Sequence, residues 1–206
     1  LGWSSKDEQE VFTVEELIEK FSLENIIDSP QVFDREKLDW FNNQYIKMAE
    51  LDRLVDLALP FLKEGNYVSE DLTEADREKL KKVLDLIRSS LENLTDLVDH
   101  EDLGIFYGQL ETTEEANEVL NWEETPGVLK DLRERFAVRD ELGPDDVSEI
   151  VRETKEELEV GFKKVYKPLR AAVTGKISGP EIKEVISILG PKVTSSRISA
   201  ALKSGS

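Results

Sequence analysis

Two stretches of the sequence combine aromatic side chains, amides and cations, the residue types that bind nucleic acids. The longer stretch, residues 161–182, contains Arg170 and Lys176 and predicts two helices that meet at a turn over residues 175–180. The start of the second helix would present unpaired N–H groups beside these two cations, and such an end favours an anion. Because an arginine can also stack on or fork to an exposed base, this stretch favours single-stranded RNA over a duplex.

The second stretch, residues 32–47, predicts a helix that begins after Asp34. Helical spacing brings Lys37 to the face that carries Phe41 and Tyr45, and the residues expected to be buried are Leu38, Trp40 and Phe41. Most of these aromatic side chains are expected to be core residues whatever the function. The polar residues that we expect to donate to phosphates or sugar hydroxyls are Lys37, Asn42, Asn43 and Lys47, of which Asn42, Asn43 and Lys47 are expected to face outward.

Residue types for catalysis and metal binding are scarce. The chain has no cysteine and one histidine, His100, whose neighbours Asp99 and Asp102 lack helical ligand spacing and a second ligand cluster. With 45 acidic residues, carboxylate pairs arise by chance, and no glycine-rich phosphate loop is present. We therefore predict no catalytic residue, no metal site and no cofactor in this chain.

The charge is distributed unevenly along the chain. The 206 residues carry 27 basic and 45 acidic side chains, a net charge of −18, which excludes a globally basic nucleic-acid binder and opposes docking on an anionic membrane. Residues 161–206, however, hold nine basic and two acidic side chains, a local charge of +7 against −25 for the rest. This segment is a candidate site for an anionic partner; the alternative is a solvated basic face without a partner.

Apolar residues recur at helical spacing in most of the chain, which predicts an all-α fold of nine or ten helices. The longest pattern has seven apolar positions, which are Leu80, Val83, Leu84, Ile87, Leu91, Leu94 and Val98. No apolar run reaches the ~20 residues that a membrane helix needs, so we expect no membrane span. The absence of cysteine is compatible with the reducing cytoplasm, where we expect the chain to be located.

Start and stop signals agree with this periodicity. Capping boxes are predicted for Thr13 with Glu16 and for Thr112 with Glu115, and the further N-caps are Asp34, Thr73 and Asp145. Pro168 is expected at a first helical position, with Gly175 just past the end of that helix. Residues 104–113 read as a loop. A break at Gly65-Asn66 predicts two domains, residues 1–66 and 67–206, the second with a softer boundary near residue 143.

Motifs at both ends of the chain resemble bacterial-type glutamyl-tRNA synthetase after its second ATP signature loop. The first set is Leu1-Gly2-Trp3-Ser4, Phe12-Thr13-Val14-Glu15-Glu16-Leu17, Phe21-Ser22-Leu23-Glu24, Phe33-Asp34, Lys37-Leu38, Trp40, Asn42 and Tyr45-Ile46. The second set is Glu157-Leu158, Lys164, Pro168-Leu169-Arg170, Ala172, Thr174-Gly175 and Leu189-Gly190. Both sets occur in the family's order and bracket nearly the whole chain.

The resemblance implies the C-terminal half of a class I ligase that joins glutamate to its tRNA with ATP and Mg²⁺. Both ATP signature motifs are missing, so this part should be inactive alone. Residues 1–66 would be a stem-contact region that is truncated at its N-terminal side, and the rest a multi-helix bundle that forms a cage around the anticodon. Carried over position by position, the anticodon-binding residues are Arg170, Lys167, Gly179, Pro180 and Ile182, with Lys176 beside them.

Two positions depart from the family. Gly179 stands where Ser or Thr is common, which removes a side-chain hydroxyl contact. Ser89 and Ser90 occupy positions where a basic residue associated with the third anticodon base is expected, and Arg88 is the displaced candidate. The expected partner of this monomer is therefore glutamate tRNA, either alone or together with glutamine tRNA. The competing hypothesis is a helical protein–protein interaction module whose basic C-terminal end is incidental.

Overall fold

A computed structural model describes residues 2–5, 7–27, 29–30, 32–108 and 110–204, so Leu1 of the first motif lies outside the described residues. These ranges contain ten α-helices and no strand, which confirms the all-α prediction. The helices are α1 Val14–Lys20, α2 Arg35–Met48, α3 Leu51–Glu64, α4 Glu74–Ile87, α5 Leu103–Tyr107, α6 Glu114–Leu120, α7 Thr125–Ala137, α8 Pro144–Glu157, α9 Phe162–Thr174 and α10 Ile182–Ser204. Short 3-10 helices cover Leu23–Asn25, Arg88–Ser90 and Leu94–Val98.

Several predicted helix starts are confirmed. Thr13 and Thr73 form capping boxes, and the Asp34 carboxylate accepts the Lys37 N–H at 3.0 Å. Two other starts were wrong by one or two residues. The N-cap of α6 is Thr113, whose hydroxyl accepts from the Ala116 N–H, and the N-cap of α8 is Gly143, whose N–H donates to the Asp146 carboxylate.

The helix predicted through Val98 ends instead at Ile87. Beyond it, the Ser90 hydroxyl donates to the Ile87 carbonyl at 2.6 Å, and the Asp96 carboxylate accepts the N–H groups of Glu92 and Asn93. Short polar side chains compete here with the helical backbone bonds, so the chain continues as 3-10 turns. Of the apolar residues assigned to this part of the helix, Leu91 is nevertheless fully buried and Leu94 and Val98 are half-buried, whereas the other fully buried residue, Leu97, is outside the helical pattern.

Two further expectations about helices were wrong. Pro168 lies inside α9 rather than at its first position, because the helix already begins at Phe162. A proline in a helix interior costs one backbone hydrogen bond, and here both Pro168 and the following Leu169 are buried in the core. The predicted loop over residues 104–113 contains the short helix α5, whose Leu103, Ile105 and Phe106 are buried.

The hydrophobic core extends from α2 to α10. α10 packs against α4, α7, α8 and α9, and Gly190, at a φ of 76°, interrupts its helical backbone. The large buried core residues include Leu54, Leu62, Leu84, Leu132, Phe136, Ile150 and Ile186. Residues of α3 and α4 belong to this one core. The domain boundaries at residue 66 and near residue 143 stay predictions. None of the described helices is both long and apolar enough to cross a lipid bilayer.

Candidate nucleic-acid interface

Helix α9 carries two of the predicted anticodon-binding residues, Lys167 and Arg170, and leads into the turn that holds three others. Gly161 is its N-cap and Gly175 its C-cap, and one face buries Val165, Leu169 and Ala172 in the core. Phe162 and Lys163 are exposed at its start, whereas Tyr166 and Lys167 are half-buried. This side of α9 therefore combines aromatic rings with cations and leads to the turn after the helix.

Arg170 lies at the inner end of this face and is only 4% exposed. Its Nη2 donates to the Pro180 carbonyl at 2.8 Å and to the Tyr166 hydroxyl at 3.2 Å, and its guanidinium carbon lies 5.5 Å from the centre of the Tyr166 ring. Its Nη1 is buried without a hydrogen-bond partner among the described residues. Leaving an N–H of a charged group buried without an acceptor costs free energy, and an acceptor supplied by a ligand would remove that cost.

The turn between α9 and α10 is built around two glycines. Gly175 has a φ of 70°, and a Cβ on it would lie 2.0 Å from the Glu111 carbonyl oxygen, so only glycine fits this position. Gly179 has a φ of 124°, and its own Cβ position lies 3.4 Å from Asp102 Oδ1 and 3.7 Å from Arg170 Nη1. The absent side chain at Gly179 thus leaves only backbone on this side of Arg170 Nη1.

The remaining predicted residues of this turn differ in environment. Ile182 is buried and anchors the start of α10, whereas Gly179 is exposed. Lys176 pairs with Glu101 at 2.9 Å, and Lys167 Nζ lies 5.9 Å from the centre of the Trp122 ring. Lys167 and Lys176 thus lie on either side of Arg170 along the chain, each beside a different partner.

Arg88 lies in a different environment. Its guanidinium pairs with Asp85 at 2.8 Å and donates to the Ala49 carbonyl at 3.4 Å. The 3-10 turn that contains Arg88 is connected to residue 102 through His100. The Ser90 hydroxyl of this turn accepts from His100 Nε2 at 3.0 Å, and His100 Nδ1 accepts the Asp102 N–H at 3.3 Å. His100 thus links this turn to the segment beside Gly179, and no described group of side chains could hold a metal ion.

The predicted outward orientation of Asn42 and Asn43 was wrong. The Asn43 amide donates to the carbonyls of Leu91 at 2.6 Å and Ser89 at 3.2 Å, and the Asn42 amide donates to Asn93 Oδ1 at 2.8 Å. These bonds tie α2 to the 3-10 segment after α4. The backbone left unpaired where α4 ends supplies the acceptors, which the amides of α2 satisfy.

The burial predicted for α2 was also partly wrong. Leu38 and Trp40 are each more than 40% exposed, whereas Phe41 is half-buried. Lys37 forms an ion pair with Glu10 and lies 5.8 Å from the centre of the Phe41 ring, and Lys47 is exposed. Of the four residues predicted to donate to phosphates or sugar hydroxyls in the stem-contact region, Lys47 alone is both exposed and without a described ion pair.

Comparison with known proteins agrees with this arrangement. The family model described as an anticodon binding domain matches residues 53–202, which is most of the chain.

The chain belongs to the anticodon-binding domain family.

Relatives of this anticodon-binding domain include a glutamate–tRNA ligase of Carboxydothermus hydrogenoformans, 42% identical over 96% of this chain and 41% of that protein. One from Bacillus subtilis is 34% identical over the same shares. A solved glutamate tRNA ligase from Elizabethkingia meningosepticum, in complex with its amino acid, superposes with a TM-score of 0.84 at 25% identity, over 100% of this chain and 39% of that one. The chain thus spans about two-fifths of the length of these relatives.

Sequence reasoning missed several residues of the anticodon-binding domain. Trp122 packs under Lys164 and Lys167 from 40 or more positions away, so no local signal could have found it. Arg197 donates to the carbonyls of Val173 at 2.7 Å and Ile105 at 2.6 Å, which joins the end of α9 to α5, and burial lowers its pKa. The stacked pair Phe162 and Tyr166 could have been found from its i, i+4 spacing.

Replacing Asn43 with Asp should lower the free energy of unfolding by about 1–3 kcal/mol. The substitution keeps the side-chain size but removes the donors, so a carboxylate would face two carbonyl oxygens. Urea unfolding of the 206-residue chain measures the effect. Lys47→Gln on the same helix is the control, for which we expect no change in the free energy of unfolding. Equal stability of Asn43→Asp and the unmodified domain would show that these bonds do not hold α2 in place.

Proposed function

We propose that the chain binds the anticodon arm of a tRNA, as the C-terminal part of a glutamate–tRNA ligase. The observation that carries the proposal is the unpaired Nη1 of Arg170, buried beneath the Gly179-Pro180 turn without a carboxylate partner. A ligand group that accepts this N–H would remove an existing cost, and the oxygen and nitrogen acceptors of a nucleobase have the required chemistry. Lys167 and Lys176 supply positive charge beside it.

The charge distribution supports a selective contact. The acidic body would repel RNA in general, whereas the +7 of residues 161–206 leaves one end of the chain attractive to phosphates. Binding would then depend on a few cationic contacts and on base stacking.

The partner within this function is glutamate tRNA in the cytoplasm, where tRNA is charged. Ser89 and Ser90, which stand where the family has a basic residue, favour acceptance of glutamine tRNA as well, with Arg88 as the nearest cation. The synthetase reaction, with its ATP and Mg²⁺, belongs to the catalytic part of such a ligase, which this monomeric domain would serve by holding the tRNA.

Titration of the chain with an anticodon stem-loop of glutamate tRNA tests the proposal. For about three phosphate contacts, we expect the affinity to fall about 20-fold between roughly 50 and 200 mM salt. A stem-loop with a scrambled loop controls for nonspecific binding, and the glutamine stem-loop tests discrimination. Absence of binding at any salt concentration would reject the proposal and favour the alternative, a module that docks a basic protein on its acidic helices.

A further inference from the structure

Phe162 is a large aromatic residue that remains exposed at the first position of α9. Its side chain is 55% exposed although the same helix buries eight other residues. Its ring stacks on that of Tyr166, with centroids 5.2 Å apart and planes inclined by 27°. One face of Phe162 is therefore fixed by a neighbour, while the exposed remainder is available to a further planar group.

Tyr166 in turn contacts Arg170, whose guanidinium carbon lies 5.5 Å from the Tyr166 ring centre and whose Nη2 donates to the Tyr166 hydroxyl. Three planar groups thus follow one another at i, i+4 and i+8 on one side of α9. Eight residues of helix span about 12 Å, which equals between three and four base-stacking steps of roughly 3.4 Å. A base at Phe162 would therefore be a different base from one that reaches Arg170.

Charge around Phe162 suits RNA. Lys163 is exposed and Lys167 half-buried on the same helix, and no ion pair of the described residues includes either of them. Lys164 pairs with Glu124 at 3.1 Å and lies 4.7 Å from the Trp122 ring centre, so it is already engaged. An exposed aromatic ring next to cations that have no described ion pair is the combination that binds single-stranded nucleic acid.

We propose that Phe162 is a base-stacking residue that extends the anticodon site along α9 and holds a second unpaired base of the same RNA loop. This inference rests on the proposed function, because the base at Phe162 and the base at Arg170 belong to one bound loop. Stacking on a fixed ring limits the freedom of the loop, so Phe162 contributes to affinity without reading the identity of the base.

The test compares Phe162→Leu with Phe162→Trp in the 206-residue chain. Leucine keeps an apolar side chain without a π-face, and tryptophan keeps the face, so we expect the leucine variant to lose about fivefold or more in stem-loop affinity and the tryptophan variant to stay within about twofold. Val138→Ala is the control, since Val138 is an apolar residue at the end of α7 that is 80% exposed and lies outside both predicted RNA-contact stretches. Its affinity should not change.

Stem-loops with an abasic site at each loop position identify the stacked base. At one position the abasic site should weaken binding to the unmodified chain but not to Phe162→Leu. Unchanged affinity of Phe162→Leu, or equal losses for the leucine and tryptophan variants, would overturn this inference. The proposed function would still hold in that case, provided that the unmodified chain binds the stem-loop. If the unmodified chain binds no stem-loop, the proposed function is rejected and the inference with it.

Discussion

Arg170→Ala should reduce the affinity for the anticodon stem-loop by tenfold or more, roughly the contribution of one stacked or charge-assisted contact. The alanine removes the cation and the unpaired Nη1. It also deprives the Pro180 carbonyl of the donor at 2.8 Å that holds the turn. The affinity is measured by titration with labelled stem-loop at low salt, where the contribution of the cation is largest.

Two variants separate recognition from general charge. Lys203→Ala removes an exposed cation from the same basic segment and should cost less than Arg170→Ala. Arg170→Lys keeps the charge but not the planar fork, so we expect it to bind almost as weakly as the alanine variant. Equal small losses for Arg170→Ala and Lys203→Ala would show that only total charge matters. Urea unfolding shows whether a loss of affinity reflects a loss of fold.

Gly175→Ala is expected to be the most destabilising of these substitutions, by roughly 3 kcal/mol or more. The φ of 70° already disfavours any side chain, and the new Cβ would lie 2.0 Å from a carbonyl oxygen of the backbone, which cannot rotate away. The turn that carries Gly179 and Pro180 would have to shift, so stem-loop binding should fall together with the free energy of unfolding.

Gly127→Ala is the matched control. Gly127 lies in α7, and a Cβ there would meet nothing within 4 Å. Because alanine favours a helix more than glycine does, this variant should be more stable by about 0.5–1 kcal/mol and should bind normally. Urea unfolding of both variants is the measurement. A Gly175→Ala variant as stable as the unmodified chain would contradict the close approach between residues 175 and 111.

Fold class and several helix ends were predictable because their causes are local. The capping of α1 by Thr13 and of α4 by Thr73 depends on residues three positions apart, and the left-handed Gly175 ends α9. The end of α4 was not predictable from apolar spacing, since Leu91 and Leu97 reach the core from 3-10 turns. Periodicity reports which side chains are buried, not whether the backbone between them is continuous.

Some features of the candidate site were likewise predictable from the sequence, and others were not. Its cations, its glycines and the position of Arg170 could be recognised along one continuous stretch of sequence. Burial of Arg170 to 4% exposure could not, because it depends on the return of Pro180 over the guanidinium. Nor could the engagement of Asn43, whose two acceptors lie more than 40 residues away at the irregular end of α4.

The sequence by itself determined that the chain is all-helical, that positive charge gathers after residue 160, and which side chains resemble an anticodon site. These properties follow from composition and from interactions within about one helical turn. Tertiary structure alone decided that Trp122 lies under Lys164 and Lys167, that Arg197 joins α5 to α9, and that Nη1 of Arg170 is left without an acceptor. Such contacts depend on how distant helices pack against one another, which local propensities and spacing do not specify.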